Sequence, residues 1–418
     1  MERRKERILL CLCHLSGNEQ KFVNEAFDTN WVVPLGPNVN GFEKDLEEFV
    51  GQNKRVVALS AGTAAVHLAL LNCGVGPGDE VLVQSFTFCA SSHPITYLGA
   101  TPVFIDSEKD TWNMDPDLLE EAIKDRIAKT GKKPKAIVPV ALYGMPYKID
   151  RIMEIANKYD IPVVEDAAEG FGSKYKGQVL GTFGKYGVLS FNGNKMITTS
   201  GGGALITPDE ESWREIMMYA TQYRESYPYY QHEKIGYNYR MSNICAGIGR
   251  GQMTIANDHI AHHKKVQMMY EELLKDVKGV TVHRQPNTGE YDSNFWLCTL
   301  TINPDVKVKG QENAYKQIIT GAVGGAAGVI HAAESAHTDC EPNANVEAMR
   351  MGLDALNIES RPLWKPMHKQ PVYKNAPAYV NGVSEDLFKI GMCLPAGPYV
   401  TEDDVHFICE AIKELTEG

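Results

Sequence analysis

The sequence predicts an α/β protein, in which a large domain built on a mostly parallel sheet is followed by a smaller α+β domain. Between residue 55 and about residue 206, short β-branched runs alternate with stretches whose apolar residues recur at helical spacing. That alternation is typical of strand–helix–strand units and a parallel sheet. Beyond about residue 250 a long helical stretch and short strands replace it. At 418 residues the chain exceeds one average core, so we expect two domains.

We expect the large domain to span residues 20–250 and the small domain residues 251–418, with residues 1–19 packing on the small domain. Runs of β-branched residues predict strands at 56–59, 80–83, 102–105, 136–140, 162–164, 188–190, 204–206, 280–282 and 295–300. Apolar residues at helical spacing predict helices at 61–73, 115–129, 148–159, 246–277 and 402–415. Turn residues such as those at 74–79 separate these elements.

Charge and composition restrict the class of function. The formal net charge of −11 argues against a general affinity for nucleic acid or for an anionic membrane. Nine cysteines at irregular spacings fit free thiols in a reducing compartment. No metal site is expected, because Cys11, Cys13 and His14 do not have a usual zinc spacing. Since no apolar run approaches a membrane span or a cleaved signal, we expect a cytoplasmic protein.

Lys195 is the most informative residue. It follows the apolar run 188–191 and precedes the glycine-rich turn 200–203. A lysine held in such a turn can lose its proton by desolvation and attack an aldehyde as a free amine. Another apolar run, 161–164, is followed by Glu165 and Asp166. Because pyridoxal phosphate requires a lysine nucleophile and a carboxylate for its ring nitrogen, the pair predicts an enzyme that uses this cofactor.

Two further segments have the residue types that hold such a cofactor. Residues 60–63 lie where a predicted strand ends and a helix begins, a point at which free N–H groups and the helix dipole bind an anion. Phe88 follows the next predicted strand and can stack on a planar ring. Taken alone, Ser60 is a helix cap and Phe88 a core residue. Lys195 and Asp166 shift the interpretation towards a phosphate site and a ring site.

Together these segments resemble the pyridoxal-phosphate-dependent sugar-nucleotide aminotransferases of the DegT/DnrJ group. The resemblance implies the aspartate aminotransferase type of fold (fold type I), with a mixed, mostly parallel sheet in its large domain. No single motif is specific, but the combination is, and it extends over nearly the whole chain. The matching stretches are 60–70, 74–80, 85–90, 165–169, 190–203, 236–241, 360–368 and 393–398.

The resemblance implies a role for each matching residue. Lys195 is implied to bind the cofactor aldehyde covalently and to move protons, and Asp166 to hold the pyridine nitrogen. The residues implied to contact the cofactor's phosphate, ring face or hydroxyl are Gly62, Thr63, Ser190, Phe88 and Glu169. Asn238 matches a position that reaches the phosphate of the neighbouring subunit's cofactor, which implies a homodimer with shared active sites.

The implied reaction is a transamination with L-glutamate as amino donor and a nucleotide-linked 4-keto-6-deoxy sugar as acceptor. Its product is a 4-amino sugar for a surface polysaccharide or glycan. Residues 192–195 and 361–368 most resemble enzymes that act on UDP-2-acetamido-2,6-dideoxy-4-keto-hexose. Residues 236–243 are also similar to GDP-4-keto-6-deoxymannose aminotransferases, the perosamine synthase type, so this sugar is the alternative acceptor.

Three basic residues near the C-terminus, Arg361, Lys365 and His368, are expected to contact the diphosphate or the sugar. A solvated basic edge is the alternative interpretation of these residues. The Gly/Ala-rich segment 321–328 departs from the family pattern, and we expect it to be a surface insertion or a subunit contact.

Other functional classes fit the sequence less well. A related dehydratase branch has histidine at the position of Lys195. A non-catalytic regulator that binds pyridoxal phosphate usually carries a fused DNA-binding segment, and the residues before Trp31 are too few to supply one. A nicotinamide-dependent enzyme needs a glycine fingerprint, whereas residues 60–63 contain one glycine.

Overall fold

A computed structural model describes residues 1–315 and 340–416. In the part of the chain through residue 220, strands and helices alternate from residue 55 to residue 166, as the hydrophobic pattern predicts, and four strands then follow without a helix between them. The helices of this part are α1 (Glu19–Asp28), α2 (Pro37–Val50), α3 (Gly62–Asn72), α4 (His93–Tyr97), α5 (Pro116–Thr130), α6 (Ile149–Tyr159) and α7 (Glu210–Ala220). Its strands are β1 (Arg55–Leu59), β2 (Glu80–Gln84), β3 (Thr101–Ile105), β4 (Ala136–Val138), β5 (Val164–Asp166), β6 (Lys174–Tyr175), β7 (Gln178–Val179), β8 (Tyr186–Ser190) and β9 (Gly203–Thr207).

The rest of the chain carries longer helices and short strands. Its helices are α8 (Asn243–Met253), α9 (Ala256–Leu273), α10 (Ala344–Ala355), α11 (Val383–Ile390) and α12 (Glu402–Thr416). Its strands are β10 (Val280–Val282), β11 (Tyr291–Asp292), β12 (Cys298–Ile302), β13 (Arg361–Pro362), β14 (Ala378–Tyr379) and β15 (Gly391–Leu394). The segment 321–328 lies outside the described residues.

A central sheet has the strand order β14-β3-β2-β4-β5-β8-β9-β1. The strands β14, β3, β2 and β4 pair in parallel, as do β5 and β8, whereas β9 is antiparallel to both of its neighbours. Parallel bridges from Ile137 to Val163 and from Val140 to Asp166 join the two halves. The predicted mixed, mostly parallel sheet is therefore confirmed.

Apolar layers cover both faces of this sheet. Along β1, Val56 and Ala58 belong to the cluster that contains residues of α2, α5 and α6, while Val57 and Leu59 belong to the cluster that contains residues of α3 and α7. Successive strand residues point to opposite faces, so a strand covered on both sides is apolar throughout. Polar residues at the carboxyl ends of these strands are therefore exceptions to the apolar pattern.

A second sheet, β10-β12-β15-β13, is antiparallel and packs against α9, α10 and α12. Ile8 joins this cluster and forms a bridge with Ile358. The strand β14, however, extends the edge of the central sheet. The division of the chain near residue 250 stays a prediction.

Two element predictions were wrong in detail. The single helix expected at 246–277 is two helices, because the chain leaves the helical conformation at Ile255, where φ is −125° and ψ is 10°. This bend lets α8 pack on α1 and α9 run to the second sheet. The strand expected from residue 295 begins at Cys298, because Phe295 has a φ of +48°, which is outside the extended conformation of a strand. Within the described ranges, no helix combines the length and apolarity needed to cross a bilayer.

Candidate active site

The carboxyl ends of β1, β5 and β8 meet at one edge of the central sheet, where they border a cleft of about 320 Å³. Open α/β sheets bind ligands at this edge, because the loops that leave the strands diverge there. The strands β1 and β8 run parallel to each other on either side of β9, so their following turns face the same space. The cleft is the candidate active site.

Lys195 lies in the turn after β8, with its backbone N–H donating to the carbonyl of Asn192 at 2.9 Å. Its Nζ is 3.4 Å from Oε1 of Glu169 and 4.0 Å from the centre of the Trp296 ring. Only 14% of the Lys195 side chain is exposed. A carboxylate and an aromatic face therefore hold the amine inside the cleft.

Asp166 ends β5 and is buried. Its Oδ2 accepts the hydroxyl of Ser91 at 2.6 Å, and its Oδ1 accepts the N–H of Ala168 at 3.1 Å. Burial raises the pKa of this carboxyl, while these hydrogen bonds and the charge of Lys195 oppose the rise. A buried carboxylate that lines a cleft and has acceptor capacity left fits a cationic ring N–H.

Glu169 is also buried and connects Lys195 to the turn that follows β4. Its Oε2 accepts the N–H of Tyr143 at 2.7 Å. Tyr143 has a φ of +53°, a left-handed conformation that is rare for a bulky residue and that directs this N–H at the carboxylate. Burial raises the pKa of Glu169, and the charge of Lys195 opposes the rise.

The turn between β1 and α3 provides a place for an anion. Helix α3 begins at Gly62, and its first N–H groups have no partner within the helix. Ser190 lies so close that a Cβ on Gly62 would come within 3.1 Å of its side chain. A Cβ on Gly203 would lie 2.4 Å from the backbone of this turn. The close backbone approach and the hydroxyl of Thr63, which also lines the cleft, fit a phosphate group.

The cleft brings together seven of the eleven residues that the sequence predicts for the site. They are Gly62, Thr63, Phe88, Asp166, Glu169, Ser190 and Lys195. These residues fit pyridoxal phosphate: the helix terminus matches its phosphate, Asp166 its ring nitrogen and Lys195 its aldehyde.

Four predicted residues are not among those that line the cleft in the part of the chain that the structure describes: Asn238, Arg361, Lys365 and His368. The side chain of Arg361 pairs with Glu359 at 3.0 Å, and Nδ1 of His368 lies 2.7 Å from the hydroxyl of Ser85. The substrate roles of the three basic residues stay predictions, as does the role of Asn238.

Three cleft residues were not singled out from the sequence. Trp296 donates its Nε1–H to the carbonyl of Asn194 at 2.7 Å and lies against Lys195. The ring of Trp364 is 5.2 Å from that of Phe88. Ser91 bonds Asp166. Trp296 lies in an apolar run typical of a core strand, so no local signal distinguishes it, whereas Trp364 lies within the matching stretch 360–368.

The fold and the grouping of Lys195, Asp166 and Glu169 in one cleft fit an enzyme that uses pyridoxal phosphate. The model of the DegT/DnrJ/EryC1/StrS aminotransferase family matches residues 14–323 and 313–413, and the chain belongs to this family. Because the match covers nearly the whole chain, the resemblance found in the sequence is confirmed.

Individual relatives match over the same length. EpsN of Bacillus subtilis (strain 168), which is named as a candidate pyridoxal phosphate-dependent aminotransferase, is 42% identical over 98% of this chain and 96% of its own. GDP-perosamine synthase of Escherichia coli O157:H7 is 34% identical over 96% of each chain. The crystal structure of a DegT DnrJ EryC1 StrS aminotransferase from Brucella abortus has a TM-score of 0.81 at 28% identity, over 96% of each chain.

Proposed function

We propose that the protein transfers the amino group of L-glutamate to a nucleotide-linked 4-keto-6-deoxy sugar, giving a 4-amino sugar for a surface polysaccharide or glycan. UDP-2-acetamido-2,6-dideoxy-4-keto-hexose is the proposed acceptor. The observation that carries the proposal is the grouping of the Lys195 amine with two buried carboxylates in one cleft. The family of the chain supplies the reaction class.

Each cleft residue has a proposed task in holding the cofactor. Gly62, Thr63 and Ser190 bind the phosphate. Asp166 pairs with the ring nitrogen, which keeps that nitrogen protonated because ionic pairing favours the charged form of both groups. When bound, pyridoxal phosphate supplies an aldehyde that a primary amine can capture and a ring that accepts electrons. Phe88 packs on the ring.

Lys195 is the proposed carrier of the proton. As a free amine, its Nζ takes a proton from the α-carbon of the amino donor and later gives that proton up again. Lys195 therefore acts first as a base and then as an acid. Glu169, at 3.4 Å, stabilises the ammonium form between these two steps. The face of the Trp296 ring also stabilises the ammonium form. It covers the amine as well, and the side chain of Lys195 is largely buried from water.

The reaction is tested by incubating the protein with L-glutamate and a UDP-linked or a GDP-linked 4-keto-6-deoxy sugar. The expected result is a product with the mass of the sugar in which an amine replaces the keto oxygen, together with an equal amount of 2-oxoglutarate. Lys195→Ala is the inactive control. A protein that binds pyridoxal phosphate but releases no 2-oxoglutarate with any keto sugar would instead be a regulator.

A GDP-linked acceptor is the second candidate. Similarity to GDP-perosamine synthase over nearly the full length favours GDP-4-keto-6-deoxymannose. The same assay compares the two nucleotide-linked sugars as amino acceptors. A kcat/KM higher for the GDP sugar than for the UDP sugar would replace the first candidate with the second.

We also propose a homodimer in which Asn238 reaches the phosphate of the partner's cofactor. The segment before it exposes large apolar side chains, including Tyr229 and Ile235, as expected of a subunit contact. Asn238→Ala and Lys195→Ala should each be inactive or weak, yet mixed dimers regain activity, because one site then has both native residues. If mixing restores nothing, the shared site is wrong.

A further inference from the structure

The free edge of the central sheet at β1 is covered by a segment distant in sequence, residues 239–241. Ser60 donates its N–H to the carbonyl of Tyr239 at 2.8 Å, and Met241 donates to the carbonyl of Ala58 at 3.3 Å. Because β1 is the last strand of the sheet, its outward backbone groups need partners from elsewhere in the chain. This segment supplies them next to the candidate phosphate turn.

A buried ion pair holds β1 at the same place, next to residues 239–241. Glu43 on α2 and Arg240 have side chains that are 9% and 8% exposed, and they bind each other through both guanidinium Nη atoms. Glu43 Oε1 accepts the N–H of Ala58 at 2.8 Å, and Arg240 Nη1 donates to the carbonyl of Ala58 at 3.0 Å. Both backbone polar groups of Ala58 are thus bound by the pair.

A buried ion pair is a poor source of stability, because desolvation offsets much of the attraction. Its clearer effect is geometric, since a planar guanidinium and a carboxylate fix the groups they bind in one arrangement. Here the fixed groups belong to Ala58, two residues before Ser60. The phenol of Tyr239 additionally lies 3.2 Å from Nδ1 of His67, on the helix that begins at the phosphate turn.

We propose that Glu43 and Arg240 are positioning residues for the cofactor phosphate. They hold the end of β1 against residues 239–241, so that the N–H groups of the turn 60–63 keep the arrangement that binds a phosphate. The proposal rests on the phosphate site proposed above. Since Asn238 directly precedes Tyr239, the same contacts also fix the residue proposed to enter the partner's site.

The test uses the full-length chain freed of its cofactor and titrated with two aldehydes. Pyridoxal phosphate and pyridoxal share the ring and the aldehyde, and only the first has a phosphate. In Arg240→Lys, which keeps the charge but loses the planar fork, the affinity for pyridoxal phosphate should fall about tenfold, or about 1.4 kcal/mol. The affinity for pyridoxal should stay unchanged. An equal change for both aldehydes, or none, overturns the proposal.

A second ion pair in the central sheet provides a matched control. Arg126 and Glu80 have side chains that are 15% and 16% exposed, and Glu80 starts β2 at the edge opposite the cleft. Arg126→Lys should lower the melting temperature about as much as Arg240→Lys, yet leave the preference for pyridoxal phosphate over pyridoxal intact. Loss of this preference in both variants would show a general effect of destabilisation and overturn the proposal.

Glu43→Gln gives a second measurement from the other partner of the pair, and it should show the same selective loss. A double variant, Thr63→Ala with Ser190→Ala, separates this inference from the function on which it rests. If the double variant loses the preference for the phosphorylated aldehyde and Arg240→Lys keeps it, only the positioning role fails. If the double variant and Arg240→Lys both keep the full preference, neither the hydroxyl groups nor the positioned turn binds the phosphate, and both proposals fail.

Discussion

Glu165 and Asp166 are neighbours in β5, both buried, and they serve different regions of the molecule. The oxygens of Glu165 accept three backbone N–H groups, those of Gly181 at 3.0 Å, Phe183 at 2.6 Å and Gly184 at 2.5 Å. Asp166 lines the cleft and accepts one hydroxyl and one N–H. Alternation along the strand sends the two side chains to opposite faces of the sheet.

The difference shows how one strand end can hold a loop on one face of the sheet and line a cleft on the other. Burial raises the pKa of both carboxyl groups, and for Glu165 the chain opposes the rise with three N–H donors. A carboxylate satisfied by the loop 181–184 holds that loop in place. A buried carboxylate with fewer donors, beside an amine in a cleft, can take a partner from outside the chain.

The largest expected effect tests whether the cleft side carries the chemistry. Lys195→Ala should lower turnover by at least about 10⁴-fold, because one amine acts as nucleophile, base and acid. Single-turnover kinetics and the absorption of the bound cofactor measure this loss. The matched control is Lys185→Ala, an exposed lysine at the opposite end of the same strand, which should retain full turnover. Comparable losses in the two variants would contradict the assignment.

Asp166→Asn should separate function from stability. Losing the ionic partner of the ring nitrogen should reduce turnover on the order of 10²-fold. In the cofactor-free protein the same change should raise the melting temperature at neutral pH, because an ionised, buried Asp166 destabilises the fold. Calorimetry of the cofactor-free protein shows whether the melting temperature rises or falls. A lower melting temperature would mean that the charge stabilises this face of the strand.

Glu165→Gln should lower stability even though burial also raises the pKa of Glu165, because the oxygens of Glu165 accept three backbone N–H groups and those of Asp166 accept one. The amide nitrogen of glutamine would face N–H donors that now bind a carboxylate oxygen, leaving at least one donor unsatisfied. The expected loss is about 1–3 kcal/mol in the free energy of unfolding, measured with urea. Affinity for pyridoxal phosphate should change little. If Glu165→Gln and Asp166→Asn shift stability in the same direction, the contrast between the two faces is wrong.

The smallest effect concerns pH. Burial raises the pKa of Asp166 and of Glu169 in the folded chain, so the folded chain binds protons that the unfolded chain releases. Their contribution to stability is therefore fully present below about pH 4, the unfolded carboxyl range, and is lost as pH rises through the raised values. In the cofactor-free Asp166→Asn variant, the free energy of unfolding, measured by urea titration, should fall less steeply as pH rises above about 4. An unchanged slope would exclude Asp166 as its source.

Local patterns in the sequence were sufficient for the central sheet and for two of the polar groups that line the cleft. Strand–helix alternation predicted the mixed, mostly parallel sheet, because strands buried on both faces are apolar throughout. The same contrast made Lys195 and Asp166 recognisable, as polar residues in the short segments that follow apolar runs. Periodicity did not reveal the bend at Ile255, since the apolar spacing continues across it.

By itself, then, the sequence determined the fold class and the cofactor from residue types along and after individual strands, and the reaction class from its resemblance to a family. Only the tertiary structure decided which distant residues surround them. Trp296 joins Lys195, and Glu43 and Arg240 meet at Ala58 from segments far apart in the chain. The physical reason is that hydrophobic periodicity reflects which face of an element is buried, whereas a buried polar contact depends on how separate elements pack.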